Sequence, residues 1–301
     1  MKHQGNRLTR QRLHSRALPD TFGAGLQTGM ESAMRVLFLG SGTSYGVPMI
    51  GCDCAVCRSS DPRNRRTRAA VLVRTDAGTI LIDASPDFRE QMLRHDVRRL
   101  DAILLTHPHA DHICGLDDVR AYSARQGGAV PIYGDRETLR VVRKNLDYAF
   151  GDAIPSAYLW DVPRLKAHEL DGSIEVAGLR VIPVPIRHGK RWIMGFRTGG
   201  FAYLTDCSGI PDDSRLLLKG LVTLVLGAVR HEPHPAHFTV AQALAEIERL
   251  APRRAYLTHI SHRLDHAVTE SALPPNVRLA YDGLEIDVPD RPLAEGGNRG
   301  A

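Results

Sequence analysis

Residues Ala102-Ile-Leu-Leu-Thr-His-Pro-His-Ala-Asp-His112 decide how the rest of the chain is read. The apolar part predicts a strand buried on both faces, ending at Thr106. Four metal-ligand types then follow within six residues: His107, His109, Asp111 and His112. In an extended segment the side chains at i and i+2 leave on the same side, so His107 and His109 can grip one ion. Asp111 and His112 then turn toward a second position. Imidazole with carboxylate is a donor set that zinc and manganese accept. Loops at the C-terminal ends of buried strands are also where α/β folds place their sites. A His-rich surface loop without metal gives no reason for this order of ligands straight after a buried strand.

The same device recurs along the chain. A polar residue closes an apolar run at Asp83 after Ile80-Leu-Ile, at Thr205-Asp206 and at Thr258-His259. Further strands are predicted at 35–40, 69–75, 79–83, 130–133, 179–186, 192–198, 201–205, 222–227, 255–258 and 284–288. Helices are predicted at 86–95, 112–125, 135–146, 239–250 and 264–272. The clearest is 240–250, where Thr239 and Gln242 form a capping box and Val240, Leu244, Ile247 and Leu250 make one apolar stripe. Alternating strands and helices in both halves predict an α/β fold in layers. The segment 147–166 is irregular and contains proline, the kind of stretch that covers a site.

Five cysteines is an odd count, and three crowd into Gly51-Cys-Asp-Cys-Ala-Val-Cys57. With no secretory h-region in the sequence, a thiolate metal site is expected there rather than a disulfide framework, and the cytoplasm is the expected compartment. A structural zinc wants four ligands. Cys52, Cys54 and Cys57 give three, and His262, three residues past His259, is available as the fourth. Such a zinc would staple the N-terminal loop to the loop after His259. Cys207 reads as a packed strand-end thiol and Cys114 as a helix core residue.

Bulk properties exclude several classes. The chain has 301 residues, 43% hydrophobic and 24% charged, as soluble globular proteins do. No apolar run reaches the roughly 18 residues a membrane span needs. The net charge is +5, but Lys2, Arg7, Arg10, Arg12 and Arg16 stand against only Asp20 and Glu31 before residue 34. Most of the excess therefore sits in 1–33, which reads as a disordered extension. Met34 is the natural first residue of a domain over 34–288, and 289–301 reads as a flexible tail. The Arg-rich, acid-poor extension faintly resembles a transit peptide, a reading we rank below an early start site. The domain itself is close to neutral, so nucleic acid is not expected as a partner. The cluster Arg58, Arg63, Arg65, Arg66 and Arg68 reads as a solvated basic loop rather than an anion clamp. The sequence leaves the oligomeric state open, a homodimer being one possibility.

The His-x-His-x-Asp-His motif resembles the signature of the metallo-β-lactamase superfamily, and the resemblance covers roughly residues 34–288. It implies a four-layer αββα sandwich. Ile80-Leu-Ile-Asp83 is similar to the motif whose aspartate orients a metal-binding histidine. His188, Asp206 and His259 match the remaining ligand positions. The resemblance implies one metal on His107, His109 and His188, a second on Asp111, His112 and His259, and Asp206 shared. Two such ions, zinc or manganese, would hold a hydroxide between them. Gly40-Ser-Gly-Thr-Ser44, the cysteine cluster and Thr258-His-Ile-Ser-His262 together resemble the PhnP-like branch. Members of that branch pair a structural zinc with a dinuclear site and hydrolyse cyclic phosphodiesters such as 5-phosphoribosyl 1,2-cyclic phosphate. By resemblance His237, just before the capped helix, matches a histidine near the substrate phosphate that acts as general acid. With Asp111 and Asp83 it completes the candidate catalytic residues. Leu226-Gly-Ala-Val-Arg-His231 departs from the pattern by lacking an acidic residue.

The expected function is therefore a metal-dependent phosphodiesterase acting on a small phosphate ester. A tRNase Z-like nuclease shares the ligands, but 147–168 carries only Arg164 and Lys166 where a basic RNA-gripping insertion is needed. A true β-lactamase fits poorly with aspartate at the shared position. A non-catalytic PqqB-like protein of a cofactor pathway also carries a cysteine cluster, but the full ligand set argues for chemistry.

Overall fold

The computed structural model describes residues 33–151 and 162–289. In chain order the strands are β1 (Ala33–Gly40), β2 (Ala70–Arg74), β3 (Thr79–Ile82), β4 (Ala102–Leu104), β5 (Val130–Gly134), β6 (Leu165–Glu169), β7 (Ile174–Val176), β8 (Leu179–His188), β9 (Arg191–Thr198), β10 (Phe201–Leu204), β11 (Thr223–Gly227), β12 (Arg254–Thr258), β13 (Val277–Leu279) and β14 (Glu285–Pro289). They form two seven-stranded sheets, ordered β14-β1-β2-β3-β4-β5-β6 and β13-β12-β11-β10-β9-β8-β7. Each sheet is parallel on one side, β3 to β6 and β10 to β13, and antiparallel on the other. The helices are α1 (Phe88–Arg94), α2 (Ala110–Ile113), α3 (Arg120–Gln126), α4 (Arg136–Asn145), α5 (Asp212–Leu216), α6 (Val240–Leu250) and α7 (His266–Ser271).

The strand period sorts side chains into separate cores. On β1, Met34, Val36 and Phe38 point to one core while Leu37 and Leu39 point to another. On β2, Val71 and Val73 join the first group and Ala70 and Leu72 the second. On β11, Val225 meets that first group, whereas Leu224 and Leu226 pack with Val240, Ala243 and Ile247 of α6. The shared core lies between the sheets. The other two lie between each sheet and its helices, with Phe88 and Met92 of α1, Tyr122 of α3 and Leu139 and Val142 of α4 on the far side. This is the four-layer αββα sandwich, and it explains why central strands read as unbroken apolar runs.

α6 starts as its sequence predicts. Thr239 Oγ1 accepts from the Gln242 amide at 3.2 Å and Gln242 Oε1 accepts from the Thr239 amide at 2.9 Å. The helix predicted at 112–125 is instead broken into α2, a 3₁₀ stretch over Cys114–Val119, and α3. Gly115 is the reason. A Cβ there would meet the Ser85 carbonyl oxygen at 2.1 Å, so the turn must press bare backbone against the segment after Asp83. The tighter turn also rotates Cys114 to the surface, where it is exposed rather than a core residue. Strands β6, β7 and β13 and the five-residue α5 were not predicted.

β1 and β14 pair along their length, Ala33 opposite Pro289, so the first and last described residues close one sheet edge. The tails predicted at 1–33 and 289–301 otherwise lie outside the described residues. Of the segment 147–166, residues 147–149 form a 3₁₀ turn, 165–166 open β6, and 152–161 lie outside the described residues. Among the described residues no helix is long and apolar enough to cross a membrane.

Candidate metal centre

The ligands predicted for the dinuclear site, and Asp83, lie at strand ends or on the short helix after β4, on one rim of the sandwich. Asp83 follows β3, His107 and His109 follow β4, and Asp111 and His112 lie on α2. His188 ends β8, Asp206 follows β10 and His259 follows β12. Asp83, Asp206 and His259 share a second property. Their φ values are 65°, 53° and 57°, in the left-handed region. A non-glycine residue there costs roughly 1–2 kcal/mol. The strain turns each side chain sharply off the strand axis and into the space between the sheets' ends.

His188 and His112 are each fixed at Nδ1. His188 Nδ1 lies 2.9 Å from the carbonyl oxygens of both Asp206 and Ala236. Carbonyls only accept, so Nδ1 carries the hydrogen and Nε2 keeps its lone pair. His112 Nδ1 lies 2.7 Å from Asp83 Oδ2, which points its Nε2 into the pocket in the same way. Asp83 is itself held by the Thr106 amide at 2.9 Å and the Thr106 hydroxyl at 2.9 Å and 3.1 Å. A carboxylate behind a ligating imidazole fixes its tautomer and raises its basicity.

The free atoms converge. Four sets have donor atoms mutually within 4.8 Å: His107, His109 and His188; His107, His112 and Asp206; Asp111, His112 and His259; and His188, Asp206 and His237. His107 Nε2 and His109 Nδ1 are 3.0 Å apart, as the i, i+2 spacing predicts. Asp206 reaches in two directions, with Oδ2 3.2 Å from His112 Nε2 and Oδ1 3.2 Å from His259 Nε2. Asp111 Oδ2 lies 3.2 Å and 3.7 Å from the same two nitrogens.

The donor set fits divalent ions. His112 Nε2 and both ring nitrogens of His259 are buried without a hydrogen-bond partner. A buried lone pair without a partner is costly, and a divalent cation would accept those of the two Nε2 atoms. Burial opposes charge on His112, yet Asp83 and Asp206 raise its pKa well above the usual histidine value, so the pocket attracts positive charge. Burial opposes charge on Asp206, yet His259 and His112 hold its carboxyl well below the usual carboxylate range. The same balance, struck by His112 and His259, holds Asp111 down. Burial pushes His107 well below the usual histidine value, so it stays neutral and able to ligate. His237 stands at the edge. Its Nδ1 is 3.6 Å from Asp206 Oδ1 and its ring stacks on His259 at 4.9 Å. Burial, then His259, pushes its pKa down to about 3.

The second predicted site also assembles. Cys52, Cys54, Cys57 and His262 bring their ligand atoms within 4.8 Å of one another. His262 Nδ1 is 3.2 Å from Cys52 Sγ and 3.4 Å from Cys54 Sγ. The Cys57 amide donates to Cys54 Sγ at 3.4 Å and the Met49 amide to Cys57 Sγ at 3.4 Å. The Cys57 hydrogen bond lowers the Cys54 thiol to about 6, toward the thiolate a metal needs.

The arginine cluster is not a uniform solvated loop. Arg66 is buried, with 1% exposure. Its guanidinium donates to the carbonyls of Arg63, Ser261 and Leu264 and to Asn64 Oδ1, at 2.8–3.2 Å. It clamps the segment around His262 from beneath. Arg63 pairs with Asp61, Arg68 with Asp87 and Arg58 with Asp53, while Arg65 is exposed.

The family model described as "Beta-lactamase superfamily domain" matches residues 78–260, more than half of the chain. The chain belongs to the metallo-β-lactamase superfamily. A crystal structure of a diphosphatase from the PhnP family is 46% identical, with a TM-score of 0.79, covering 86% of this chain and 98% of that one. This places the superfamily member in the PhnP-like branch, as a metallo-hydrolase of a fold that binds divalent metal. An octanoyltransferase of Porphyromonas gingivalis is 40% identical over 262 residues, 86% of this chain. The chain spans about half, 52%, of that relative's length. Zinc-bound PqqB from Methylobacterium extorquens shares the fold at 22% identity and a TM-score of 0.66.

Supporting groups of this superfamily site were invisible in the sequence. The Ala236 carbonyl on His188 and the Thr205 hydroxyl on Asp206 Oδ2, at 2.8 Å, carry no motif. Thr106 and Thr205 do share one signal, a threonine directly before a ligand at a strand end.

Proposed function

We propose that this metallo-hydrolase is a phosphodiesterase that cleaves a small phosphate ester, a cyclic phosphodiester of the 5-phosphoribosyl 1,2-cyclic phosphate type. The observation that supports this most is the reach of Asp206, whose carboxylate groups within 4.8 Å with His107 and His112 and again with His188, while its Oδ1 lies 3.2 Å from His259. Asp206 would then be shared by two ion sites, one held by His107, His109 and His188 and the other by Asp111, His112 and His259. Two divalent ions, zinc or manganese, would supply Lewis acidity toward a phosphoryl oxygen and lower the pKa of water toward neutrality. The protein's own part is to orient. Asp83 fixes His112, and the Asp206 and Ala236 carbonyls fix His188, so the donors are in place before substrate arrives.

His237 is the proposed proton donor to the leaving oxygen. It is neutral in the free protein, and an anionic ester beside it raises its pKa, so it gains its proton together with the substrate. The Cys52, Cys54, Cys57 and His262 site is the proposed structural zinc. A cytoplasmic setting, where thiolates stay reduced, suits it.

A diphosphatase is the second reading, favoured by the 46% identical PhnP-family diphosphatase. A substrate panel on protein loaded with zinc or manganese separates the readings. The expected result is turnover of bis(p-nitrophenyl) phosphate and a ribose cyclic phosphate, with none of nitrocefin or a pre-tRNA. Preference for a nucleoside diphosphate sugar moves the assignment to diphosphatase, and turnover of pre-tRNA alone moves it to a tRNase Z-like nuclease. Inertness toward every ester, with metal bound, supports a PqqB-like non-catalytic role and overturns the proposal.

A further inference from the structure

The proposed chemistry uses one end of a longer cleft. A space of about 270 Å³ runs from His237 and His259 out to Arg230 and Arg263. That is small-molecule size, below the roughly 300–1,000 Å³ of sites for drug-sized ligands. No aspartate or glutamate lines it. Its far end is cationic, and the excess charge is built in. The two guanidiniums share one carboxylate, Glu232, at 4.0 Å from Arg230 and 3.7 Å from Arg263.

Arg230 is held firmly. Its Nε donates to the Glu232 carbonyl at 3.2 Å and its Nη2 to the Pro233 carbonyl at 2.6 Å, which sets the plane of the guanidinium. Its backbone is pinned between the two segments that carry the near end. The Arg230 carbonyl accepts from Val240, three residues past His237, at 2.9 Å. The neighbouring Val229 carbonyl accepts from Ser261, two residues past His259, at 3.1 Å. The distance from the ligand histidines to this arginine is therefore fixed by the fold and not by a flexible loop. A fixed guanidinium plane is the geometry that suits bidentate binding of a phosphoryl group.

We infer that Arg230 and Arg263 form a second anion subsite, which holds a phosphoryl group of the substrate other than the one being cleaved. This rests on the proposed function and narrows it to small molecules carrying two phosphoryl groups. The second group is either the terminal phosphate of a sugar phosphate or the other half of a diphosphate. An ester with a single phosphoryl group leaves the arginine end facing water alone.

The test compares substrates that differ only in that group. For wild type, Arg230→Gln and Arg263→Gln, kcat/KM is measured on 5-phosphoribosyl 1,2-cyclic phosphate and on ribosyl 1,2-cyclic phosphate. The diphosphate arm uses ADP-ribose. Binding of ribose 5-phosphate to the same metal-loaded proteins is followed by calorimetry. Wild type should prefer the doubly phosphorylated ester, and Arg230→Gln should cut that preference on the order of 10- to 100-fold, through KM. Loss of ADP-ribose turnover alone assigns the subsite to a diphosphate. An equal loss on both cyclic esters, or an unchanged ratio, overturns the subsite. If no ester is turned over by any form, the hydrolase reading fails by itself. The subsite then stands on weaker ribose 5-phosphate binding by Arg230→Gln, and equal binding overturns it.

Discussion

Asp83 and His112 meet through Oδ2 and Nδ1 at 2.7 Å, both fully buried, although 29 residues separate them. Asp83 reaches this position from the left-handed region, with φ at 65°. The strain and the hydrogen bond serve the same end. They hold His112 with its Nε2 toward Asp206 and Asp111 while Thr106 holds the carboxylate.

Asp83→Asn tests this support. Asparagine tolerates the left-handed region, so the backbone strain is not increased. Its amide presents either a neutral oxygen or a donor to His112, and the imidazole loses its basic partner. Metal affinity should fall roughly 10- to 100-fold, with turnover falling alongside and the circular dichroism spectrum unchanged. Metal titration of the chelated protein measures it. Unchanged affinity would show that the Asp83 contact is packing only.

Cys54→Ser separates the two metal sites. Serine is a poor zinc ligand, and the site is left with Cys52, Cys57 and His262. Elemental analysis should show one zinc fewer per chain. The melting temperature should fall by on the order of 5 °C or more, since a structural zinc contributes folding free energy. Catalysis at low temperature should survive, because no cysteine joins the His/Asp groups. Full zinc content in the variant would refute a structural zinc at this cluster.

How much was legible depended on whether the physics was local. His107, His109, Asp111 and His112 could be read together because one short segment fixes their relative directions. The thiolate cluster was readable for the same reason, and His262 only because it lies three residues from another candidate. The break between α2 and α3 was not readable. It depends on the Ser85 carbonyl, which nothing near Gly115 announces. Strands β7 and β13 are three residues each, interrupted by Glu175 and Arg278, at sheet edges. A single buried face over three residues leaves almost no periodic signal. Arg66 was misread because its four acceptors include Ser261 and Leu264, nearly two hundred residues away.

Arg66→Lys turns that misreading into a measurement. The planar fork satisfies four acceptors at once, and a lysine ammonium has three hydrogens and another geometry. At least one buried acceptor is left unpaired, at about 1–3 kcal/mol each. Urea unfolding should show a loss of about 2–4 kcal/mol, with weaker zinc retention because the clamped segment carries His262. Arg65→Lys, on an exposed neighbour, should stay within about 0.5 kcal/mol of wild type. Equal effects from the two substitutions would mean the clamp has no energetic weight.

His266 is buried at 2% exposure, and its Nδ1 has no hydrogen-bond partner. Burial, then Arg63 and Arg66, lower its pKa to about 4. An unfolded histidine sits near 6.5. Above pH 6.5 the ring is neutral in both states and its contribution to stability is complete. As pH falls below 6.5 the unfolded chain takes up a proton that the folded chain refuses, so stability drops until about pH 4. The loss amounts to about 3 kcal/mol over that window. In His266→Phe this part of the slope should vanish. The check is the difference in unfolding free energy between the two proteins, measured from pH 7.5 to pH 4. Metal release in acid enters both alike and cancels in the difference. A difference that stays flat across the window would mean that His266 charges as readily in the fold as out of it.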